Sequence, residues 1–235
     1  MANKRTSEEL DLVERLGKLF VPIVSDTLDG YQGEQRMNKY LMSPDIRPIV
    51  PEMKLCGIAN TIKAVATTKV ERPLPLEELR KEKIALAIES VTKGEVIVYT
   101  TSGCRSAASL GELMCTAISA KGGLGAVTDG YIRDASRILW IKPAFPVFTS
   151  GYCAADSSGR MEPTELNVPI WCGGTFVRPG DFILGDLDGV VVIPQEIAKE
   201  VISKCEEKSE SEDQVRDALR RGEPFADVAA KFRVM

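Results

Sequence analysis

Residues 165 to 194, ELNVPIWCGGTFVRPGDFILGDLDGVVVIP, constrain the fold more than any other stretch of this chain. Strand-like runs at 168–172, 174–177, 182–185 and 189–193 are rich in β-branched and aromatic side chains, and Gly, Pro and Asp cut them apart. Those breakers supply the backbone angles of tight turns, so the segment reads as successive short strands. Asp181, Asp186 and Asp188 fall among the breakers. A cation site could be built from them, but the turn reading needs no ligand and is preferred.

Upstream, the pattern changes. Thr6 or Ser7 can cap a helix through Gly17, with Leu10, Val13 and Leu16 on one face. A second short helix is expected after Pro22, followed by a turn-rich stretch from Gln32 to Pro51. LCGIANTIKAVA (55–66) suits a strand, and VERPLP (70–75) a connector. Pro75 opens an amphipathic helix through Val91, and GEVIVYT (94–100) is a compact buried strand. TSGCRSAASL is read as a loop leading into a helix that stops at Gly122-Gly123. GGLGAVTDGYIRDASR (122–137) alternates small apolar residues with glycine up to Asp129-Gly130, and PVFTSG (146–151) forms a further strand. A long polar helix from about Gln195 to Arg221 and a short one near Phe225 to Phe232 end the chain. The sum is one α/β domain over residues 1–235, with parallel and antiparallel pairings, N-terminal helices and a C-terminal helical tail from about 195.

The chain has 235 residues and a net charge of −4, which argues against nucleic acid as the main partner. No apolar run approaches the roughly 20 residues that span a bilayer. The N-terminus has no apolar signal core, so no membrane association and a cytoplasmic location are expected. The six cysteines form no CxxC pair and read mostly as reduced core residues, with Cys104, in a glycine-flanked loop, the one to test for reactivity.

There is no histidine. The common general base and zinc ligand are therefore missing, and any catalysis must come from carboxylates, Arg, Lys, Cys, backbone groups or a hard cation. Arg133 and Asp134 stand side by side just beyond a buried strand. Adjacent residues on an extended or turning backbone point different ways, so Arg133 can grip a substrate carboxylate while Asp134 faces a metal ion. Gly111, Glu112, Leu113 and Met114 open a helix whose unpaired N–H groups attract anions. Taken alone, Glu112 equally suits a residue that complements the helix dipole, and Asp134 a turn or cap residue. Ser157, Ser158, Gly159 and Arg160 form a polar loop, read as solvated. Lys63 lacks a motif that would make it a Schiff-base lysine. No GxGxxG, GxxxxGK[ST] or GxSxG occurs.

GELMCTAISAKGGLGAVTDGYIRD (111–134), together with the 167–194 block, resembles the RraA-like family. That family includes the 4-hydroxy-4-methyl-2-oxoglutarate aldolases and the regulator of ribonuclease activity A. The resemblance covers about residues 20 to 205. It implies a swivelling β/β/α fold, assembly as a homotrimer or hexamer, and Mg2+ or Mn2+ as cofactor. By the same resemblance Arg133 binds the carboxylate of a small 2-oxo acid, Asp134 binds the metal, Gly111 to Met114 offer backbone amides, and Glu112 contacts water on the metal. The implied activity is carbon–carbon cleavage of a 4-hydroxy-2-oxo acid to pyruvate and a carbonyl product, with oxaloacetate decarboxylation as a side activity. Regulators in the family lack the Asp. The alternative is a non-catalytic ring that binds a ribonuclease or helicase. The aldolase signature places an acid three residues after the Asp, and here Arg137 stands there. A neighbouring subunit could lend Glu206, Glu207 or Glu210 from the tail, and the three are not distinguished.

Overall fold

The computed structural model describes residues 4–32, 38–70 and 73–232; residues 33–37 of the turn-rich stretch and 71–72 of the connector lie outside them. Two helices come first, α1 (Ser7–Leu16) and α2 (Val21–Asp29). Thr6 caps α1 in a reciprocal pair with Glu9, satisfying N–H groups that have no acceptor inside the helix. α2 begins at Val21, just before Pro22 rather than after it, because proline in the first turn removes only a donor that would have no partner. The Val21 N–H donates instead to Asp186, at 2.8 Å.

There follow β1 (Arg47–Pro48), β2 (Leu55–Ala66), α3 (Leu76–Leu79), α4 (Lys83–Ser90), β3 (Glu95–Thr100), β4 (Ala108–Leu110) and α5 (Glu112–Ala120). The chain continues through β5 (Gly125–Ile132), α6 (Ala135–Ile138), β6 (Val147–Tyr152), β7 (Met161–Leu166), β8 (Ile170–Cys172) and β9 (Thr175–Val177). It ends with β10 (Phe182–Asp186), β11 (Gly189–Ile193), α7 (Ala198–Arg220) and α8 (Phe225–Phe232).

One mixed sheet organises the molecule, in the order β1-β6-β5-β3-β2-β10-β11, with β4 added on β5 and β7 on β2. Its centre, β2-β3-β5-β6, is parallel; β1, β7, β10 and β11 pair antiparallel. β8 and β9 form a separate hairpin. The sheet curls toward closure, and strand alternation sorts its side chains between an inner core and two outer ones. In β3, Val96 and Val98 point into the inner core while Ile97 and Tyr99 point outward. Every residue of β3 is buried, as a central parallel strand covered on both faces requires. α1, α2 and the first half of α7 cover one outer patch, and α4, α5 and α6 the other.

Four expectations need correction. β5 does not stop at Asp129-Gly130, because β4 and β6 pair with Tyr131 and Ile132 from either side and carry the strand on. The helix expected from Pro75 to Val91 is broken into α3 and α4 at extended Glu82; α3 buries none of its residues, so packing does not hold the charged turn between them in helical form. The loop before α5 contains β4, and β7 follows the Ser157–Arg160 loop; both are edge additions whose pairing, not their composition, makes them strands. Cys104 is buried in an outer core, not poised in an open loop. Asp181, Asp186 and Asp188 do sit in turns: Asp181 accepts the N–H groups of Arg178 and Gln195, and Asp186 that of Asp188.

Candidate active site

β4 runs parallel to the far end of β5, with Leu110 opposite Ile132, and the two strands stop together. The Arg133 N–H closes the ladder by donating to the Leu110 carbonyl at 3.0 Å. The start of α5 and the end of β5 are therefore neighbours, though twenty-odd residues separate them in sequence. Asp134 then turns the chain with a left-handed backbone, φ 58° and ψ 26°. Asp tolerates this region better than most residues because its short side chain bonds locally.

That turn overturns one expectation. The two side chains do not point apart: Arg133 Nε lies 3.7 Å from Asp134 Oδ2, with the side chains 41% and 42% exposed. An ion pair this open is worth about 0–1 kcal/mol, so an arriving anion and cation could separate it at small cost. Both side chains line one cleft of about 100 Å³ with Gly111, Leu113, Met114 and Ser157. The Glu112 N–H donates to Asp134 Oδ2 at 3.3 Å. The first bond inside α5 is from Cys115 N–H to the Gly111 carbonyl, at 3.1 Å, so the N–H groups of Leu113 and Met114 have no acceptor within the helix. A Cβ on Gly111 would stand 2.9 Å from Asp134 Oδ2 and 3.3 Å from Arg133 Nε, so only glycine leaves the pair its space.

Glu112 is placed differently from its neighbours. Its carboxylate accepts the Thr116 hydroxyl at 2.7 Å, and its side chain lines an adjoining cleft together with Arg137. Beneath the site, burial, and then the charges of Glu112 and Asp134, push the Cys115 thiol up to about 12, which keeps it an uncharged core group. Asp156 lines the Arg133–Asp134 cleft and was missed in the sequence; it lies in the stretch before β7 and is paired with Arg160 at 3.2 Å. No motif marks it, because only the fold of that loop brings it over the site.

Lys63 lies elsewhere, paired with Glu165 at 2.6 Å and absent from the cleft. Glu206 is bound within its own chain, taking two bonds from Arg15, at 2.9 and 2.6 Å, where α7 packs on α1. Of the three tail acids, Glu207 and Glu210 remain exposed. Among the described residues no cluster of three or more Cys, Asp or Glu side chains is arranged to hold a metal. No helix among them is long and apolar enough to cross a membrane.

Known proteins resemble this chain over most of its length. The RraA-like (Aldolase/RraA) family profile matches residues 21–192. A Halalkalibacterium halodurans protein provisionally named 4-hydroxy-4-methyl-2-oxoglutarate aldolase is 29% identical over 211 residues, covering 89% of this chain and 88% of its own. An uncharacterised protein of Methanocaldococcus jannaschii is 34% identical over 184 residues, covering 78% of this chain and 82% of its own. The crystal structure of Streptomyces coelicolor RraAS2, described as an unusual member of the RNase ES inhibitor RraA family, superposes with a TM-score of 0.74 at 25% identity, over 91% of this chain and 98% of that one. With that profile matched over most of its length, the chain belongs to the RraA-like family.

Proposed function

We propose that the protein is a divalent-metal-dependent lyase that cleaves a 4-hydroxy-2-oxo acid to pyruvate and a carbonyl compound. The observation that carries this reading is the cleft in which Arg133, Asp134 and the free amides of α5 meet around Gly111. The residues suit Mg2+ or Mn2+: such ions are held by one or two carboxylates, with waters and substrate oxygens filling the other positions, and need no histidine. Asp134 is the carboxylate that would hold the ion. When bound, the ion would supply Lewis acidity at the keto oxygen.

The chain's own groups account for the rest. Arg133 neutralises the substrate carboxylate with a charge-assisted fork of N–H donors. Leu113 and Met114 line the same cleft, and their N–H groups, without an acceptor in the helix, would favour negative charge as it develops. Glu112, held by Thr116, takes the proton of the C4 hydroxyl through an intervening water and can return it to C3 by the same route. The C3–C4 bond breaks, its electron pair moves toward the keto oxygen, and C3 later gains a proton to give pyruvate. Arg137 occupies the place of the aldolase signature's acid, so the substrate need not be the hydroxy-oxo-diacid of that branch.

Pyruvate release from a panel of 4-hydroxy-2-oxo acids and from oxaloacetate, with Mg2+ and with EDTA, tests the reading. Turnover that EDTA abolishes and added metal restores is expected. No metal-dependent turnover on any of them would favour the non-catalytic binding role instead. The assembly we propose is a trimer or a pair of trimers. Leu113 at 80% exposure and Trp140 at 70%, both beside the clefts, offer apolar surface that a second copy would cover. Light scattering should give three or six times the mass of one chain; a monomer at micromolar concentration would defeat this.

A further inference from the structure

A second cleft, of about 460 Å³, adjoins the first at the start of α5. Glu112 and Thr116 line it from α5, and Arg137, Trp140 and Lys142 from the segment that follows Asp134. Arg137 stands one turn beyond Asp134, its N–H donating to the Asp134 carbonyl at 2.8 Å. Its guanidinium lies over the Trp140 ring, 5.3 Å from the centroid. A guanidinium held over a ring face by cation–π attraction keeps its N–H groups available to an anion. Neither Arg137 nor Lys142 is ion-paired among the described residues. The acid in this cleft, Glu112, is already engaged by the Thr116 hydroxyl. The cleft thus carries two unpaired cations, Arg137 one turn beyond Asp134 and Lys142 farther along the same segment.

We propose that Arg137, together with Lys142, binds a second anionic group at the far end of the substrate, a carboxylate or a phosphate. The inference rests on the lyase reading only for the head of the substrate, which Arg133 and Asp134 would hold. Glu112 lines the second cleft and its chain neighbours Gly111 and Leu113 line the first, so a molecule seated at both ends would span the start of α5. Two cations against one engaged acid suit an anionic tail and disfavour a neutral one, because only the anionic tail forms charge-assisted bonds there.

The test is calorimetric binding in Mg2+ with two matched pairs of 2-oxo acids. One pair is 2-oxoglutarate against 2-oxopentanoate; the other is 2-oxo-3-deoxy-6-phosphogluconate against its unphosphorylated form. In at least one pair the anionic member should bind about tenfold tighter. Response in the first pair alone assigns a carboxylate tail, and in the second alone a phosphate. Arg137→Ala should erase most of that preference while moving the neutral member less than about twofold, and Arg137→Lys should keep part of it. Equal binding within each pair, or equal weakening of both members in Arg137→Ala, overturns the proposal. Exchange of the pyruvate methyl protons with deuterium, followed by NMR, reads the head site separately. Exchange without any anionic preference sinks only the second subsite; an Arg137-dependent preference without exchange sustains the subsite and sinks the lyase reading.

Discussion

Asp134→Asn is expected to lower kcat/KM for metal-dependent pyruvate release by about 100-fold, equivalent to about 3 kcal/mol of lost transition-state stabilisation. The substitution removes one charge from the cleft and little else. Asp134 is 42% exposed, and its contact with Arg133 at 3.7 Å contributes little to folding. Asparagine also accepts the left-handed backbone at this position, φ 58°, so the turn that brings Arg133 and Gly111 together survives. Alanine is the poorer choice, since a left-handed alanine adds a strain of about 1 kcal/mol and confounds the reading. Steady-state kinetics with saturating Mg2+, beside a thermal melt, separate the two effects. The expected pattern is a large kinetic loss with an unmoved melting temperature. If Asp134→Asn kept more than half of the metal-dependent rate, Asp134 would not be the metal's carboxylate and the mechanism would fail.

Phe148→Ala should cost about 3–5 kcal/mol of stability, the range for emptying a packed aromatic site. Phe148 is fully buried in the inner core on β6, opposite Val127 of β5. Its ring lies over Gly185 of β10 so closely that a Cβ there would sit 3.0 Å from two ring carbons. The glycine is the counterpart of the ring: on one side of the inner core a strand gives up its side chain so that the other side can supply a large one. Removing the ring leaves rigid strand backbone around the void, which limits collapse into it. For a chain of this size the melting temperature should drop by roughly 10 °C. Urea unfolding measures the loss directly, and a change below about 1 kcal/mol would mean that the sheet does not close over this residue as described.

Much of the fold was legible because its elements carry their own signals. Thr6 is one of the two residues expected to cap the first helix, and α1 begins just after it. The all-apolar run around Val96 to Tyr99 could only be a covered strand. The turns at Asp181 and Asp186–Gly189 follow from residues that make turns anywhere. The pair Arg133–Asp134 and the amide segment from Gly111 to Met114 were also recoverable, since each is a local string.

What stayed hidden in the sequence is relative placement. β4 is a strand because the last residues of β5 give it a ladder, joining residues 108–110 to 131–132, while β6 pairs with the same end of β5 from its other side. The left-handed turn at Asp134, which gathers the guanidinium and carboxylate instead of splaying them, depends on that junction being closed by Arg133 and Leu110. Asp156 over the cleft, Arg137 stacked on Trp140, and Glu206 consumed by Arg15 are likewise contacts between segments. Local sequence determined which pieces this chain makes and which chemical groups they carry, because propensity, capping and turn chemistry act over a few residues. Tertiary structure alone decided which groups share a cleft, because hydrogen-bond ladders and apolar burial act between residues far apart along the chain.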